Sequence, residues 1–295
     1  MPHHRLVKEL KLQIAGLTIT ARPADPEQRF IVDPVFEPFL STKESEVIIR
    51  VHFREWNDGQ AGRKVLEARR FGWELYQRDD GAFSVRFIHP ERGSLESVAI
   101  MAPDFRTCDL YIKTTQDYQG KDVHPLGKFL HKLPMVGLLS GSRGLLLHSC
   151  GINDNGRGML FVGHSEAGKT TMASLWKGRE DVVVLNDEHV IVRQLDGRFR
   201  VYGTPWLGCG GTCTQGEAPL QNIFFLEHAL DNNVWSIRQS QAVALLMAQA
   251  SLPLWSREGM QNSLELCLRL VSEVPCCKLG FVPDESVVSF IRSME

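Results

Sequence analysis

The sequence has no apolar run long enough to cross a bilayer, and its first residues alternate charged with apolar side chains. This alternation contains no apolar core of a secretory signal, so we expect a cytoplasmic protein. The formal net charge is only −2 over 295 residues. The overall charge therefore would not attract the protein to nucleic acid or to an anionic membrane. The remaining composition, 43% hydrophobic and 23% charged, is typical of a soluble globular protein.

The cysteines also lack an ordered pattern. There are 7, and their spacing is irregular. Cys209 and Cys213 form a close pair, but no second pair stands at the spacing of a zinc site. We therefore expect reduced thiols rather than a metal site or a disulfide framework.

The first 122 residues contain strand patterns but no catalytic constellation. Val47–Phe53 is rich in β-branched residues and predicts a strand. Apolar residues alternate on both arms of Trp73–Phe87, and Asp80-Gly81 between them predicts a hairpin turn. Residues 1–122 are therefore predicted to form a β-rich domain whose role the sequence does not indicate.

Residues 123–295 mix helix and strand patterns, which predicts an α/β (α+β) domain with a mixed, twisted sheet. A helix is predicted at Pro125–Leu133, and a final helix is predicted after the capping residue Asp284. The remaining predicted elements are strands at 143–150, 159–162, 182–185 and 220–226, a hairpin at 190–202, and helices near 239–250 and 257–272.

The segment Gly163-His-Ser-Glu-Ala-Gly-Lys-Thr170 matches the Walker A pattern, with a predicted strand before it and a predicted helix after it. The glycines allow backbone N–H groups to surround phosphate oxygens at a helix N-terminus. Lys169 would place its charge on the β- and γ-phosphates of ATP, and the Thr170 hydroxyl would bind Mg²⁺. The predicted nucleotide-binding residues are Gly163, His164, Ser165, Glu166, Ala167, Gly168, Lys169, Thr170 and Thr171.

Two further features stand at predicted strand ends. Asp187-Glu188 follows an apolar strand, and acidic groups at such an edge suit a metal–nucleotide site. His148 ends the strand that precedes the glycine loop.

In this order of His148, glycine loop and acidic pair, the chain resembles the HPr kinase/phosphorylase family and its HPr-kinase-like relatives. Those proteins share a P-loop fold with ATP-dependent phosphoenolpyruvate carboxykinase. The segments Tyr202–Trp206 and Ala218–Leu226 are also similar to HPr-kinase-like proteins, and the resemblance covers about residues 124–295.

The resemblance implies a kinase in which Asp187, paired with His148, is the general base toward a serine hydroxyl, with Lys169 as the third catalytic residue. It also implies that Glu188 binds the metal together with Thr170. An alignment shifted by one residue would instead make Asn186 the first member of the pair and Asp187 a metal ligand, and the sequence leaves this shift open.

Two features depart from that family. Ser165-Glu166 stands where HPr kinase has Ser-Gly, and the segment that HPr kinase uses for its phosphorylase activity is absent. Neither the reverse reaction nor HPr as substrate is therefore implied. The glycine-rich stretch Gly203–Gly216 is predicted to be a mobile lid over the site.

These features favour an ATP- and Mg²⁺-dependent phosphotransferase acting on a hydroxyl of an unidentified protein, peptide or small molecule, without nucleic acid or membrane partners. The family resemblance adds the expectation of a homo-oligomer. A carboxykinase-like enzyme is less favoured, because no second cationic cluster for a keto acid stands out. A non-catalytic, ATP-dependent regulatory module is the main alternative.

Overall fold

The computed structural model describes residues 5–56, 62–68, 72–89, 91–113, 132–141, 144–208 and 210–294. It is a mixed α/β structure, rich in strands, with mixed sheets. The chain divides into two compact units, Met1–Leu138 and Leu139–Glu295, called here the N-terminal and C-terminal units. The domain boundary predicted at 122/123 and most of the helix predicted at Pro125–Leu133 lie outside the described residues.

The described part of the N-terminal unit consists mainly of strands. These are β1 (Leu6–Val7), β2 (Leu10–Ile14), β3 (Leu17–Pro23), β4 (Phe30–Ile31), β5 (Val47–His52), β6 (Arg63–Ala68), β7 (Trp73–Gln77), β8 (Phe83–Ile88), β9 (Leu95–Met101) and β10 (Thr107–Ile112), with a 3-10 helix at Pro34–Phe39.

Eight of these strands form one sheet in the order β2-β3-β5-β10-β9-β8-β7-β6. The β5 strand pairs in parallel with β3 and β10, and the other neighbours are antiparallel. The predicted hairpin is confirmed as β7 and β8, with Trp73 opposite Phe87. Alternate residues of β5 are buried, so one face of the strand faces the core.

The C-terminal unit begins within the first helix and alternates strands with helices. Its elements are α1 (Lys132–Gly141), β11 (Gly144–Asp154), β12 (Arg157–Val162), α2 (Lys169–Trp176), β13 (Val182–Asn186), β14 (His189–Leu195), β15 (Arg198–Tyr202), β16 (Glu217–His228), β17 (Asn233–Ser236), α3 (Gln239–Gln249), α4 (Arg257–Glu273), β18 (Cys276–Phe281) and α5 (Ser286–Arg292).

Two long strands organise the sheet of this unit. The first half of β11 pairs with β14, and its second half pairs with β12 and β13. The β16 strand pairs with β15 at its start, then in parallel with β12 and β18. Because β12 lies between β11 and β16, the P-loop strand is hydrogen-bonded on both edges.

Helices cover both faces of this sheet. The buried residues of α3 and α4 pack with Leu160 and Phe225 in one core. Those of α2 and α5 pack with Phe161 and Phe224 in a second core, where Trp176 is fully buried. Burying a side chain such as that of Phe161 contributes about 1.5–3 kcal/mol.

The N-cap of the last helix is Glu285, one residue after the predicted Asp284, whose carboxylate accepts a hydrogen bond from the backbone N–H of Ser286 at 2.9 Å just before the helix. Within the described residues, no helix combines the length and apolar character that a membrane crossing requires.

Candidate active site

The Walker A segment forms the turn between β12 and α2, as predicted. Gly168 precedes α2 with φ of 100°, a left-handed conformation that favours glycine. A Cβ at Gly168 would lie 2.5 Å from the Phe281 ring, so the site also lacks space for a side chain. A Cβ at Gly163 would lie 2.6 Å from that of Ala167, which shows how tightly the loop curls.

Lys169 is the buried charge of this loop, with 7% of its surface exposed. Its Nζ donates hydrogen bonds to the carbonyls of Gly163 (2.8 Å) and His164 (3.0 Å). Burial lowers the pKa of Lys169, while the nearby Glu188 opposes that shift. The ammonium group is therefore enclosed by backbone of the loop, where its attraction for a bound anion would be weakly screened by water.

The other loop residues present mainly backbone. The side chains of His164, Ser165, Glu166 and Thr171 are exposed, whereas Ala167 is buried. Glu166 has φ of 69°, a left-handed conformation, and its carbonyl accepts a hydrogen bond from His228 at 3.0 Å. Because the Glu166 side chain faces solvent, its carboxylate need not repel a phosphate bound to the loop.

Asn186, at the end of β13, shapes the turn that presents the acidic pair. Its side-chain amide donates to the carbonyls of Thr204 (2.9 Å) and Trp206 (3.1 Å). Its side-chain oxygen accepts from the backbone N–H groups of Glu188 (2.7 Å) and His189 (2.8 Å). Asn186 is fully buried, and both its amide nitrogen and its amide oxygen are hydrogen-bonded. It therefore fixes the direction of Asp187 and Glu188.

Asp187 is 1% exposed and faces the glycine-rich loop. Its two carboxylate oxygens accept hydrogen bonds from the backbone N–H groups of Gly210 (3.0 Å) and Thr212 (3.2 Å). A Cβ at Gly210 would lie 2.3 Å from Asp187 Oδ2 and 2.9 Å from Thr170 Cγ2. The structure thus brings Asp187 and Thr170 against the same glycine.

The carboxylate partner of His148 differs from the expected one. His148 Nε2 lies 3.1 Å from Glu188 Oε1, whereas the resemblance implied a pair with Asp187. The difference follows from the turn, in which Asp187 is bonded to Gly210 and Thr212 while Glu188 contacts His148. Burial and the charge of Lys169 lower the pKa of His148, and Glu188 opposes this shift.

Gln249 is a site residue that the sequence did not indicate. Its side chain lies close enough to His148 to oppose the lowering of the His148 pKa. It is brought there because Ala250 forms a β-bridge with Leu147, and Ser251 N–H donates to the Leu146 carbonyl at 2.8 Å. No local motif marks such a contact between α3 and a strand far earlier in the chain.

A metal ion at this site would need ligands beyond protein carboxylates. In the part of the chain that the structure describes, no three His, Cys, Asp or Glu side chains converge closely enough to hold one. Thr170 and Asp187 each carry a side-chain oxygen, and both residues lie close to Gly210. That set fits Mg²⁺, which in phosphoryl-transfer sites uses one or two protein oxygens and takes the rest from phosphates and water.

A comparison with protein families matches residues 128–280 to the family described as SynChlorMet cassette protein ScmC. No curated protein matches the chain. The matched residues include the glycine loop, the acidic pair, His148 and Gln249.

Proposed function

We propose that this chain, which belongs to the SynChlorMet cassette protein ScmC family, is an ATP-dependent phosphotransferase of the HPr-kinase-like type. The family description names no reaction, so the proposal rests on the site. The observation that carries it is the convergence of Lys169, Thr170 and Asp187 with the His148–Glu188 pair at the end of a P-loop strand. We also propose that the protein acts in the cytoplasm.

The P-loop backbone and Lys169 would bind the phosphates of ATP. In that state the Lys169 ammonium would exchange its bonds to the Gly163 and His164 carbonyls for bonds to phosphate oxygens. Thr170 and Asp187 would hold Mg²⁺, which neutralises phosphate charge when bound. Because His148 pairs with Glu188, we assign the metal-ligand role to Asp187 and not that of general base.

The His148–Glu188 pair would accept the proton of the attacking hydroxyl. The oxygen of the acceptor would bond to the γ-phosphorus as the bond from that phosphorus to the leaving oxygen of ADP breaks. The hydroxyl proton would pass to Glu188, which His148 orients through the contact of 3.1 Å. Because its pKa is lowered, His148 is neutral near pH 7 and adds no positive charge that would hold the proton away.

Calorimetric titration of Mg²⁺–ATP tests the binding half of this proposal. We expect binding by the wild type and about a 100-fold weaker affinity for Lys169→Ala, since charge-assisted hydrogen bonds to phosphate are lost. Lys278→Ala is the matched control, because this lysine lies in the same unit and pairs with Glu227 instead. Equal affinities in all three proteins would contradict a functional P-loop.

Turnover tests the catalytic half. ATP hydrolysis, with water as the acceptor, can be followed before the natural acceptor is known. We expect Glu188→Gln to lower turnover at least about 100-fold while Mg²⁺–ATP still binds, because the proton acceptor is lost. Turnover unchanged in both Glu188→Gln and Asp187→Asn would rule out the roles proposed for the acidic pair.

A non-catalytic, nucleotide-dependent regulatory module is the second candidate. It is favoured by the direct contact of the glycine-rich loop with Asp187, through which nucleotide binding could change an exposed surface. Bound Mg²⁺–ATP that is recovered intact after long incubation, together with a change in loop protection, would favour this candidate over the kinase.

A further inference from the structure

The middle of the glycine-rich loop lies directly on the acidic pair. A Cβ at Gly208 would lie 2.4 Å from the Cβ of Glu188, and a Cβ at Gly210 would lie 2.3 Å from Asp187 Oδ2. Side chains at these two positions would collide with the acidic residues. The two glycines thus permit a close backbone approach to Asp187 and Glu188.

The loop backbone supplies the hydrogen bonds that the buried Asp187 carboxylate requires. Gly210 N–H and Thr212 N–H each donate to a different oxygen of this group. A carboxylate that is 1% exposed is stable only when such donors replace water. The two amides therefore stabilise the negative charge of Asp187, as a bound cation would.

The ends of the loop are held separately from this contact. Gly203 N–H donates to the Gly216 carbonyl (3.0 Å), and Thr214 N–H donates to the Leu185 carbonyl (2.9 Å). Lys177 Nζ donates to Thr212 Oγ1 at 3.3 Å, but Thr212 belongs to the contact with Asp187, so this exposed bond must break when the loop leaves Asp187. The loop can therefore leave Asp187 without losing the attachment of its ends.

We propose that the Gly203–Gly216 loop is an intramolecular latch, in which the Gly210 and Thr212 N–H groups hold Asp187 in a closed state that excludes the metal-bound nucleotide. This inference rests on the proposed function, because it assigns Asp187 and Thr170 to the metal. The Gly210 and Thr212 N–H groups occupy both carboxylate oxygens of Asp187, which are the atoms that would bind the metal. Loading of Mg²⁺–ATP therefore requires the latch to open.

The latch lowers the apparent nucleotide affinity in proportion to the fraction of molecules that are closed. A protein that is open in only one molecule out of ten binds about tenfold more weakly than one that is always open. Weakening the latch without altering the P-loop, Asp187 or Thr170 should therefore tighten binding.

The variant that tests this effect is Gly210→Ala. Its Cβ cannot coexist with Asp187 Oδ2 at 2.3 Å, so the loop and the carboxylate must separate and the latch contact is broken, while every nucleotide-binding residue keeps its identity. Gly216→Ala is the matched control, because its Cβ would meet only the flexible Leu185 side chain at 3.1 Å. We expect Mg²⁺–ATP to bind Gly210→Ala about tenfold more tightly than the wild type, and Gly216→Ala to bind like the wild type.

Hydrogen–deuterium exchange tests the latch without nucleotide. The amides of Gly210 and Thr212 should be protected in the wild type and should exchange faster in Asp187→Ala, which removes their acceptor. Fast exchange in the wild type, or unchanged exchange in Asp187→Ala, would overturn the latch. Unchanged affinity in Gly210→Ala would overturn its competition with the nucleotide.

Failure of the proposed function gives a different result. If Asp187→Ala releases the loop amides but neither the wild type nor Gly210→Ala binds Mg²⁺–ATP, the nucleotide-binding function is wrong. The competition with nucleotide is then wrong as well, whereas the contact between the loop and Asp187 is supported.

Discussion

The two units bury different kinds of polar side chain. In the described part of the N-terminal unit, the buried polar residues are hydroxyl-bearing, namely Thr18, Thr20 and Ser84. The described part of the C-terminal unit also buries two carboxylates, an ammonium group, a guanidinium and two carboxamides, namely Asp154, Asp187, Lys169, Arg193, Asn186 and Gln194. Burying a charge is costly unless partners compensate it.

Three of these costly groups, Lys169, Asn186 and Asp187, lie at the P-loop and the turn after β13. Lys169 and Asp187 bind backbone groups, and Asn186 holds the turn between them. The described part of the N-terminal unit is a sheet whose buried residues are mainly apolar. The C-terminal unit contains, in addition, a cluster of buried charged and polar side chains. This contrast locates the candidate site independently of any sequence motif.

The largest expected effect on this contrast comes from Asn186. Asn186→Leu would leave buried backbone groups of Thr204, Trp206 and Glu188 without partners, and we expect a loss of about 3–5 kcal/mol in the free energy of unfolding. Urea denaturation measures it. Thr20→Val, a buried polar change in the N-terminal unit, should cost less than about 1 kcal/mol. Equal losses in the two variants would contradict the contrast.

A second prediction uses one buried thiol in each unit. Burial raises the pKa of Cys108 and of Cys150, so both should react with alkylating reagents only after the surrounding structure opens. Mg²⁺–ATP at about 100 times its Kd should slow the labelling of Cys150 about 100-fold, because only the folded C-terminal unit binds it.

Cys108 is the internal control in the same sample, and its labelling rate should not change. Pulsed alkylation followed by mass spectrometry measures both rates. Equal slowing at both thiols would show that the two units open together rather than separately.

The third prediction concerns the buried carboxylate farthest from the P-loop turn. Arg292 donates to both oxygens of Asp154, at 2.6 and 3.0 Å, and so ties α5 to the end of β11. We expect Asp154→Ala to lower the free energy of unfolding by about 1–3 kcal/mol, a value reduced by the partial exposure of Arg292.

In the N-terminal unit, Arg50→Ala breaks the more exposed pair with Asp109 and should cost less than about 1 kcal/mol. Thermal and urea unfolding of both variants make the comparison. A larger loss in Arg50→Ala would show that ion pairs matter more in the N-terminal unit.

The smallest expected effect is a pH dependence from His148. Because its pKa is lower in the folded protein than the ordinary 6.5, the unfolded chain binds its proton first as the pH falls. The stability contribution is therefore complete above about pH 6.5 and decreases below it. His148→Gln should lose this part of the pH dependence of unfolding, and identical curves for both proteins would exclude it.

Local turn chemistry made parts of both units predictable from sequence. Asp196-Gly197 was predicted to turn a hairpin, and both residues adopt positive φ between β14 and β15. The Walker A glycines predicted the strand–turn–helix around Lys169 for the same reason. Each of these signals lies within a few residues of the structure it specifies.

Other features depend on contacts between distant segments. Cys276–Phe281 was not predicted as β18, since this short run lacks alternation and its strand state depends on pairing with β16. The carboxylate that pairs with His148 could not be predicted from the sequence either. The direction of Glu188 depends on hydrogen bonds between Asn186 and residues 204–206. Sequence spacing could place both acids near the site but could not orient them.

The parallel pairing of β12 with β16, and of β16 with β18, has a consequence for the order in which the protein is made. A nascent chain contains β11 and the complete Walker A segment long before β16, the parallel neighbour of β12, leaves the ribosome. At about 5–20 residues per second, several seconds separate these events. During this interval the P-loop strand has one exposed edge, which makes the growing chain a candidate for chaperone capture. Ribosome-bound fragments ending before β16 should therefore remain unable to retain ATP.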